Sequence, residues 1–213
     1  MEGAALFWHL VTRLGEMQIV LPAALIASWP ALKRPETRPF ALRWLGALAI
    51  AIAVATATKL AFIGWGLGIG ALNFTGISGH AMMAASVYPV MLALLASNGS
   101  IQLQKIAFAI GAALALLVGV SRLQVQAHSA SEVIAALILG AIVSSFPVWR
   151  RPMPQRATGW VYQVLVVAWV LLSPMNAPQV RTHFFVTRLS LALAGHDKPH
   201  TRAELLRRAH QTP

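Results

Sequence analysis

Between Arg43 and Arg150 the chain is almost free of charged residues. The only Asp, Glu, Lys and Arg residues in this stretch are Lys59, Lys105, Arg122 and Glu132. Soluble domains carry about 25% charged residues, whereas this chain of 213 residues is 11% charged and 57% hydrophobic. Such a chain cannot cover a globular surface with polar groups, so lipid must solvate much of it. The sequence therefore predicts an all-α membrane protein, a polytopic bundle of transmembrane helices.

Apolar runs separated by short polar loops predict about six membrane spans of roughly 20 residues each. We place these spans at about 17–32, 44–58, 79–96, 106–120, 130–149 and 159–173. Residues 61–77 are apolar but rich in glycine, which suits a re-entrant or interfacial loop better than a helix. The predicted organisation is an interfacial segment at 1–16, a transmembrane core at 17–175 and a basic amphipathic tail at 176–213. The tail contains one amphipathic stretch, 183–194, and a basic, helix-prone end at about 202–210.

The net charge of +11 does not predict nucleic-acid binding, because the basic residues do not form one patch. They fall at the ends of the apolar runs, as the signals that orient membrane spans do, and they also favour an anionic lipid surface. The positive-inside rule places the basic loops at 33–43 and 150–156 in the cytoplasm. Counting spans from these loops places 59–78 and 121–129 on the outer side. The compact size and short loops suit a bacterial inner membrane, and the oligomeric state stays open.

Apart from Lys105, which lies in the predicted cytoplasmic loop at about 97–105, the ionisable residues of the core gather at one level, the outer ends of the predicted spans. They are Lys59, His80, Arg122, His128 and Glu132. An ionisable group in hydrocarbon costs roughly 2.5–3.5 kcal/mol on insertion scales, so it normally faces the bundle interior beside a partner. Any one of these residues alone is explained by packing, or by a long side chain that extends its charged group to the membrane surface. Five of them at one level predict a functional site.

The cations and the helix start in this set favour an oxyanion as the ligand. Lys59 and Arg122 supply positive charge, and arginine binds an oxyanion with several oxygens bidentately. Ser78 and Gly79 precede His80 at the start of a predicted helix, where free N–H groups favour phosphate. A phosphate group is therefore the predicted ligand.

The histidines supply a nucleophile and an acid. His128 and Glu132 are four residues apart and share one helical face. The carboxylate can accept one ring N–H and leave the other nitrogen free to attack, while His80 protonates the leaving oxygen. Two histidines and a glutamate also suit zinc, but Glu132 is needed beside His128, and the cations Lys59 and Arg122 would repel a metal. We therefore predict no metal and no cofactor.

Two segments resemble motifs of the type 2 phosphatidic acid phosphatases. The segment 77–80, Ile-Ser-Gly-His, resembles the Pro-Ser-Gly-His motif of that family. The segment 121–132 reads Ser-Arg-x5-His-x3-Glu and resembles the family's Ser-Arg-x5-His-x3-Asp motif. Ile77 replaces proline, and Glu132 replaces aspartate with a carboxylate one methylene longer.

The family's first motif is incomplete in this chain. Lys59 sits where the Lys-x6-Arg-Pro motif should begin, but Gly66-Leu67 stand in place of Arg-Pro. One phosphate-binding cation of the family is therefore missing, and no basic residue nearby in the sequence replaces it. The resemblance covers roughly residues 55–145.

The resemblance implies a role for each site residue. His128 is the nucleophile that forms a phosphohistidine, Glu132 orients it, and His80 protonates the leaving group. The residues that hold the phosphate are Lys59, Ser78, Gly79, Ser121 and Arg122. The family works without a metal, and in its membrane members the site faces the extracytoplasmic side.

The implied function is that of a lipid phosphatase embedded among membrane lipids. Its substrate would be a lipid phosphomonoester or diphosphate, of the phosphatidate, phosphatidylglycerophosphate or polyprenyl diphosphate type. Two alternatives stay open. A phosphotransferase would pass the phosphate to another lipid, since water and an acceptor hydroxyl attack the same intermediate. A small transporter or lipid-phosphate-binding protein uses the same residue types, although transporters typically show two related halves and none is visible here.

Overall fold

The computed structural model describes residues 2–149, 153–176, 182–195 and 197–211. These ranges form α-helices and short 3₁₀ turns without a β-strand, which confirms the all-α prediction. The α-helices are α1 Glu2–Arg13, α2 Met17–Lys33, α3 Arg38–Trp65, α4 Gly79–Leu95, α5 Ile101–Gln124, α6 Ala130–Ser145, α7 Trp160–Asn176, α8 Thr182–Ala194 and α9 Arg202–Gln211. Part of the second basic loop, residues 150–152, and residues 177–181 of the tail lie outside the described residues.

Each predicted span coincides with a helix, but the helices differ in length. Within the described ranges, three segments are long and apolar enough to cross a membrane: Arg38–Trp65, Ile101–Gln124 and Ala130–Val148. The pair Gly3–Arg13 and Met17–Lys33, bent by 45°, adds a fourth if it forms one span. Helices α4 and α7 have 17 residues each, which is short for a hydrocarbon core of about 30 Å. The predicted count of six spans is therefore not confirmed.

Helix α3 is longer at both ends than the sequence predicts. It begins at Arg38 with Pro39 in its first turn, where the missing N–H of proline costs nothing. It ends at Trp65, and Gly66 follows in the left-handed conformation with φ of 69°, which glycine adopts without steric cost. The glycine-rich loop therefore begins at Gly66, and the prediction that residues 61–65 belong to it is wrong.

Helix α4 lies at the centre of the bundle. It is apolar around its whole circumference, as expected of a helix that is buried on all sides, and most of its side chains are buried. Helices α2, α3, α5 and α6 pack around it. The hydroxyl of Tyr88 donates to the carbonyl of Leu14 (2.6 Å), and the indole N–H of Trp44 donates to the carbonyl of Ser86 (2.9 Å). This packing fixes the N-terminus of α4, which begins at the Ser-Gly-His motif.

The outward faces of the surrounding helices are apolar. On α6, Ile134, Ile138 and Ile142 recur every four residues and are each more than half exposed. Ile106 and Ile110 have the same spacing on α5 and are 47% and 56% exposed. A stripe of large aliphatic side chains facing outward suits contact with lipid and is compatible with a membrane protein.

The two helices of the tail pack against the core. The amphipathic stretch of the tail forms α8, and its helix-prone end forms α9. Helix α8 lies along α3, and the hydroxyl of Ser190 donates to the carbonyl of Leu60 (2.8 Å). Helix α9 contacts the 3₁₀ turn Gly70–Leu72 of the glycine-rich loop. The tail therefore covers the end of the bundle at which α3 stops.

Gly140 marks the closest approach of α6 to α4. A Cβ added at Gly140 would lie 2.4 Å from the Cβ of Ala85 and 2.9 Å from the carbonyl oxygen of Met82. We expect Gly140→Ala to lower stability by about 1–3 kcal/mol, the usual cost of overpacking a core, although alanine favours a helix more than glycine does. Thermal unfolding in detergent measures this change.

Gly46→Ala is the matched control for Gly140→Ala. Gly46 lies on the exposed side of α3, and nothing lies within 4 Å of a Cβ added there. We expect this substitution to leave the thermal midpoint unchanged or to raise it slightly. An equal loss of stability in both variants would contradict the close packing of α6 on α4.

Candidate active site

The side chain of Glu132 is fully buried at the start of α6. Ser129 is the N-cap of this helix and forms a capping box with Glu132. The backbone N–H of Ser129 donates to Glu132 Oε2 (3.1 Å), and the backbone N–H of Glu132 donates to Ser129 Oγ (3.4 Å). A Ser-x-x-Glu pattern at a helix start produces this arrangement. It turns the carboxylate back over the first turn of α6, toward the residues that precede the helix.

His128 lies in the connection between α5 and α6, beside this carboxylate. Its Nδ1 is 2.7 Å from Glu132 Oε2, and its side chain is 15% exposed. An ionised carboxylate only accepts hydrogen bonds, so Nδ1 carries the proton and Nε2 keeps a free lone pair. The structure thus brings His128 and Glu132 together as their spacing predicts.

Three further site residues reach His128 from three different helices. Lys59 belongs to α3, His80 to α4 and Arg122 to α5. His80 interacts electrostatically with Arg122, Lys59 and His128. Lys59 Nζ lies 3.5 Å from the position of a Cβ built on Gly79, so the ammonium group sits at the N-terminus of α4. The structure therefore brings the predicted cations, Lys59 and Arg122, close to His80 and His128.

Two buried donors of the site have no hydrogen-bond partner among the described residues. They are Ser78 Oγ and Arg122 Nε. Buried polar groups without a partner are rare, and two in one site indicate room for a ligand that accepts hydrogen bonds. Arg122 is also held by Thr12 of α1, whose Oγ1 accepts from Nη1 (2.6 Å). The hydroxyl of Ser121 donates to the carbonyl of Val118 (2.6 Å) inside α5, so phosphate binding by Ser121 stays a prediction.

Several residues of the site are absent from the sequence prediction. Thr75 donates its backbone N–H (2.7 Å) and its hydroxyl (2.5 Å) to Glu132 Oε1. Arg202 of α9 donates Nη2 to both oxygens of Glu132 (2.8 Å each). Thr12 and Ser129 complete the set. Only Ser129 has a signal in the sequence, the capping-box spacing to Glu132.

The groups around His128 are mostly donors and positive charges. The lysine ammonium, the arginine guanidinium, the serine hydroxyl and the N–H groups at the start of α4 all suit an oxyanion. In the described part of the chain, no three His, Cys, Asp or Glu side chains gather in a group that could hold a metal ion. That the protein works without a metal or cofactor stays a prediction.

Comparison with known proteins identifies the family. The PAP2 superfamily matches residues 4–156 of the chain. A relative from Klebsiella pneumoniae named "Uncharacterized 22.5 kDa protein in cps region" is 38% identical over 209 residues, which cover 95% of this chain and 99% of the relative. No solved structure matches the chain. The chain therefore belongs to the PAP2 superfamily, which confirms the resemblance to the type 2 phosphatidic acid phosphatases, and this membership suggests phosphatase activity.

The buried position of His128 predicts how its reactivity depends on pH. Burial lowers the pKa of His128 below its ordinary value, and the hydrogen bond and charge of Glu132 oppose this shift only in part. His128 therefore stays neutral at pH 7 and is protonated at Nε2 only in more acidic solution. Diethyl pyrocarbonate acylates only neutral imidazole, so we expect the midpoint for His128 to lie below about pH 6.5.

Mass spectrometry of the peptide that carries His128 measures this midpoint. The same peptide from urea-unfolded protein is the control, because unfolding removes both the burial and the contact with Glu132. A midpoint in the folded protein equal to or above that of the unfolded protein would contradict the burial of His128.

Proposed function

We propose that this protein is a membrane lipid phosphatase that hydrolyses a lipid phosphomonoester or diphosphate through a phosphohistidine at His128. The observation that carries this proposal is the 2.7 Å contact between His128 Nδ1 and the buried carboxylate of Glu132. This contact favours the tautomer whose Nε2 is free to attack phosphorus. Family membership supports the phosphatase class, and the lipid substrate is the step that we add.

In the first step, His128 Nε2 attacks phosphorus and the bond from phosphorus to the leaving oxygen breaks. The electron pair of that bond goes to the leaving oxygen, which takes a proton from His80 in the imidazolium form that the negative charge of the bound phosphate stabilises. Lys59 and Arg122 stabilise the negative charge on the other phosphate oxygens, together with the N–H groups at the start of α4. Glu132 stabilises the positive charge that the imidazole gains when Nε2 is phosphorylated.

In the second step, water attacks the phosphorus of the phosphohistidine. His80, now neutral, accepts a proton from the water. The bond between phosphorus and Nε2 breaks, and its electron pair returns to the imidazole of His128. Phosphate leaves, and both histidines are restored to their starting protonation states.

A lipid headgroup suits the position of the site. The site residues lie close to the C-terminal ends of α3 and α5 and to the N-terminal ends of α4 and α6, so they share one end of the bundle. Lipid headgroups lie at the ends of a membrane-spanning bundle, which favours phosphatidate, phosphatidylglycerophosphate or a polyprenyl diphosphate as the substrate. The basic loop at 33–43 is at the other end of α3, and the positive-inside rule puts it in the cytoplasm. We therefore propose a bacterial inner membrane protein whose site faces the extracytoplasmic side.

Phosphate release from a panel of lipid phosphates tests this proposal. We expect the detergent-purified protein to release phosphate in the presence of EDTA. We expect His128→Ala to lower the rate by about 1,000-fold or more, because the covalent route is lost with its nucleophile. The release of inorganic phosphate at a fixed lipid-to-detergent ratio measures both rates.

His9→Ala is the matched control for His128→Ala, since His9 is exposed on α1 and we expect its variant to keep the wild-type rate. Release that EDTA abolishes would contradict the metal-free mechanism. If the folded wild-type protein releases no phosphate from any lipid of the panel, the phosphatase proposal is wrong, and transfer to an acceptor lipid or simple binding becomes the better account.

A further inference from the structure

Arg202 of the C-terminal helix makes a direct ion pair with the carboxylate that holds His128. Its Nη2 is 2.8 Å from both oxygens of Glu132 and 3.0 Å from Thr75 Oγ1. Its Nη1 is 3.0 Å from the carbonyl oxygen of Asn73 and 2.7 Å from Asn73 Oδ1. One guanidinium group therefore joins the glycine-rich loop, the buried carboxylate and the tail of the chain.

The start of α9 is fixed in place by contacts other than this ion pair. The backbone N–H of His200 donates to the carbonyl of Ile63 at the end of α3 (3.0 Å). The ring of His200 covers Gly66, with atoms 3.2–3.3 Å from the position of a Cβ built there. Thr201 and Glu204 form reciprocal hydrogen bonds of the capping-box type, with N···O distances of 3.1 and 3.4 Å. Arg202 thus reaches the site from a docked helix.

The position of the tail also bears on the incomplete first motif. At the place where the family has Arg-Pro, this chain ends α3 with Gly66 in a left-handed conformation under the ring of His200. A larger residue at Gly66 would be strained by the positive φ, and its Cβ would be in tight contact with that ring. The arginine that the tail does bring to the site, Arg202, comes from beyond residues 4–156, the range that the family matches, and it contacts Glu132.

The charge of Glu132 needs compensation, because its side chain is fully buried. If no cation other than the neighbouring imidazole compensated its charge, a buried carboxylate would hold that imidazole in the protonated form. Protonated His128 has no free lone pair and cannot attack phosphorus. The charged and titratable groups around His128 are Lys59 on α3, His80 on α4, Arg122 on α5, Glu132 on α6 and Arg202 on α9. Of these, Arg202 is the cation that contacts Glu132 directly.

We propose that Arg202 is a positioning residue that acts on His128 through Glu132, so that docking of α9 completes the active site. Arg202 compensates the charge of the carboxylate and fixes its orientation, which leaves His128 neutral and aligned for attack. Arg202 contacts Glu132 and does not bind the phosphate. This inference rests on the proposed role of His128 as nucleophile.

Arg202→Gln tests the inference, with Arg207→Gln as the matched control. Arg207 is exposed on the same helix, so both substitutions remove one positive charge from α9. We expect Arg202→Gln to lower kcat for phosphate release by about tenfold or more, since small misalignments of reacting groups cost up to about 100-fold. We expect KM to change by less than about threefold, because uniform substrate binding is untouched. Arg207→Gln should match the wild type in both constants.

A second readout does not depend on phosphatase activity. In Arg202→Gln, the uncompensated carboxylate stabilises the imidazolium of His128, so the midpoint of its acylation by diethyl pyrocarbonate should rise by about one pH unit or more. Arg207→Gln should keep the wild-type midpoint. Arg202→Lys keeps the charge, so its midpoint should return to within about half a unit of the wild type. A purely structural role for Arg202 would lower stability without moving this midpoint.

The outcomes separate this inference from the proposed function. If the wild type releases no phosphate, the proposed function fails, and the midpoint of His128 alone decides the role of Arg202. If Arg202→Gln keeps both the wild-type midpoint and the wild-type kcat, the inference is wrong. If Arg202→Gln does not fold, Arg202→Lys tests the inference instead. It keeps the positive charge, but its single ammonium group cannot contact Asn73 and Glu132 together, so the orientation of Glu132 is no longer fixed. A kcat below the wild type with KM unchanged then supports the inference, and a wild-type kcat overturns it.

Discussion

The buried carboxylate of Glu132 is the group on which the rest of the site depends. Burying a charge is costly unless hydrogen bonds and a counter-charge compensate it. Here the donors come from separate parts of the chain: Thr75 in the glycine-rich loop, His128 and Ser129 before α6, and Arg202 in α9. The first two of these segments are loops, and α9 is a short helix whose start is also held by the end of α3. One carboxylate therefore links the loop, the nucleophile and the tail.

The helix bundle holds the partners of this carboxylate in place. Apolar outer faces gain little from association when lipid surrounds them, so close packing between helices must fix their positions. Gly140 lets α6 approach α4, and the N-terminal segment packs on the same helix, since a Cβ built on Gly15 would lie 2.8 Å from the Cβ of His80. Thr12 in that segment also holds Arg122. Both ends of the chain thus contribute to a site whose motifs lie in the middle of the sequence.

The parts of this arrangement that depend on local spacing could be predicted from the sequence, and the long-range parts could not. Scarce charge and long apolar runs indicate the all-α bundle, and the four-residue spacing predicts that Glu132 faces His128. The sequence does not locate the end of α3, because Gly64 and Gly66 both lie in one apolar run and composition does not reveal which of them takes the left-handed conformation that ends the helix. Thr75 and Arg202 carry no signal, because their contacts with Glu132 join positions 57 and 70 residues apart. The predicted count of six spans stays unconfirmed, because apolar composition does not distinguish a short helix buried among others from one that crosses a bilayer.

The most direct test of this account is the identity of the covalent intermediate. Wild-type protein is mixed with a lipid phosphate labelled with ³²P at its terminal phosphorus, quenched in alkali within the first turnover and digested for mass spectrometry. The account predicts an alkali-stable, acid-labile label on His128 Nε2 that appears and decays at a rate consistent with turnover. A label on another residue, or steady release of phosphate with no labelled protein at any time, would contradict it.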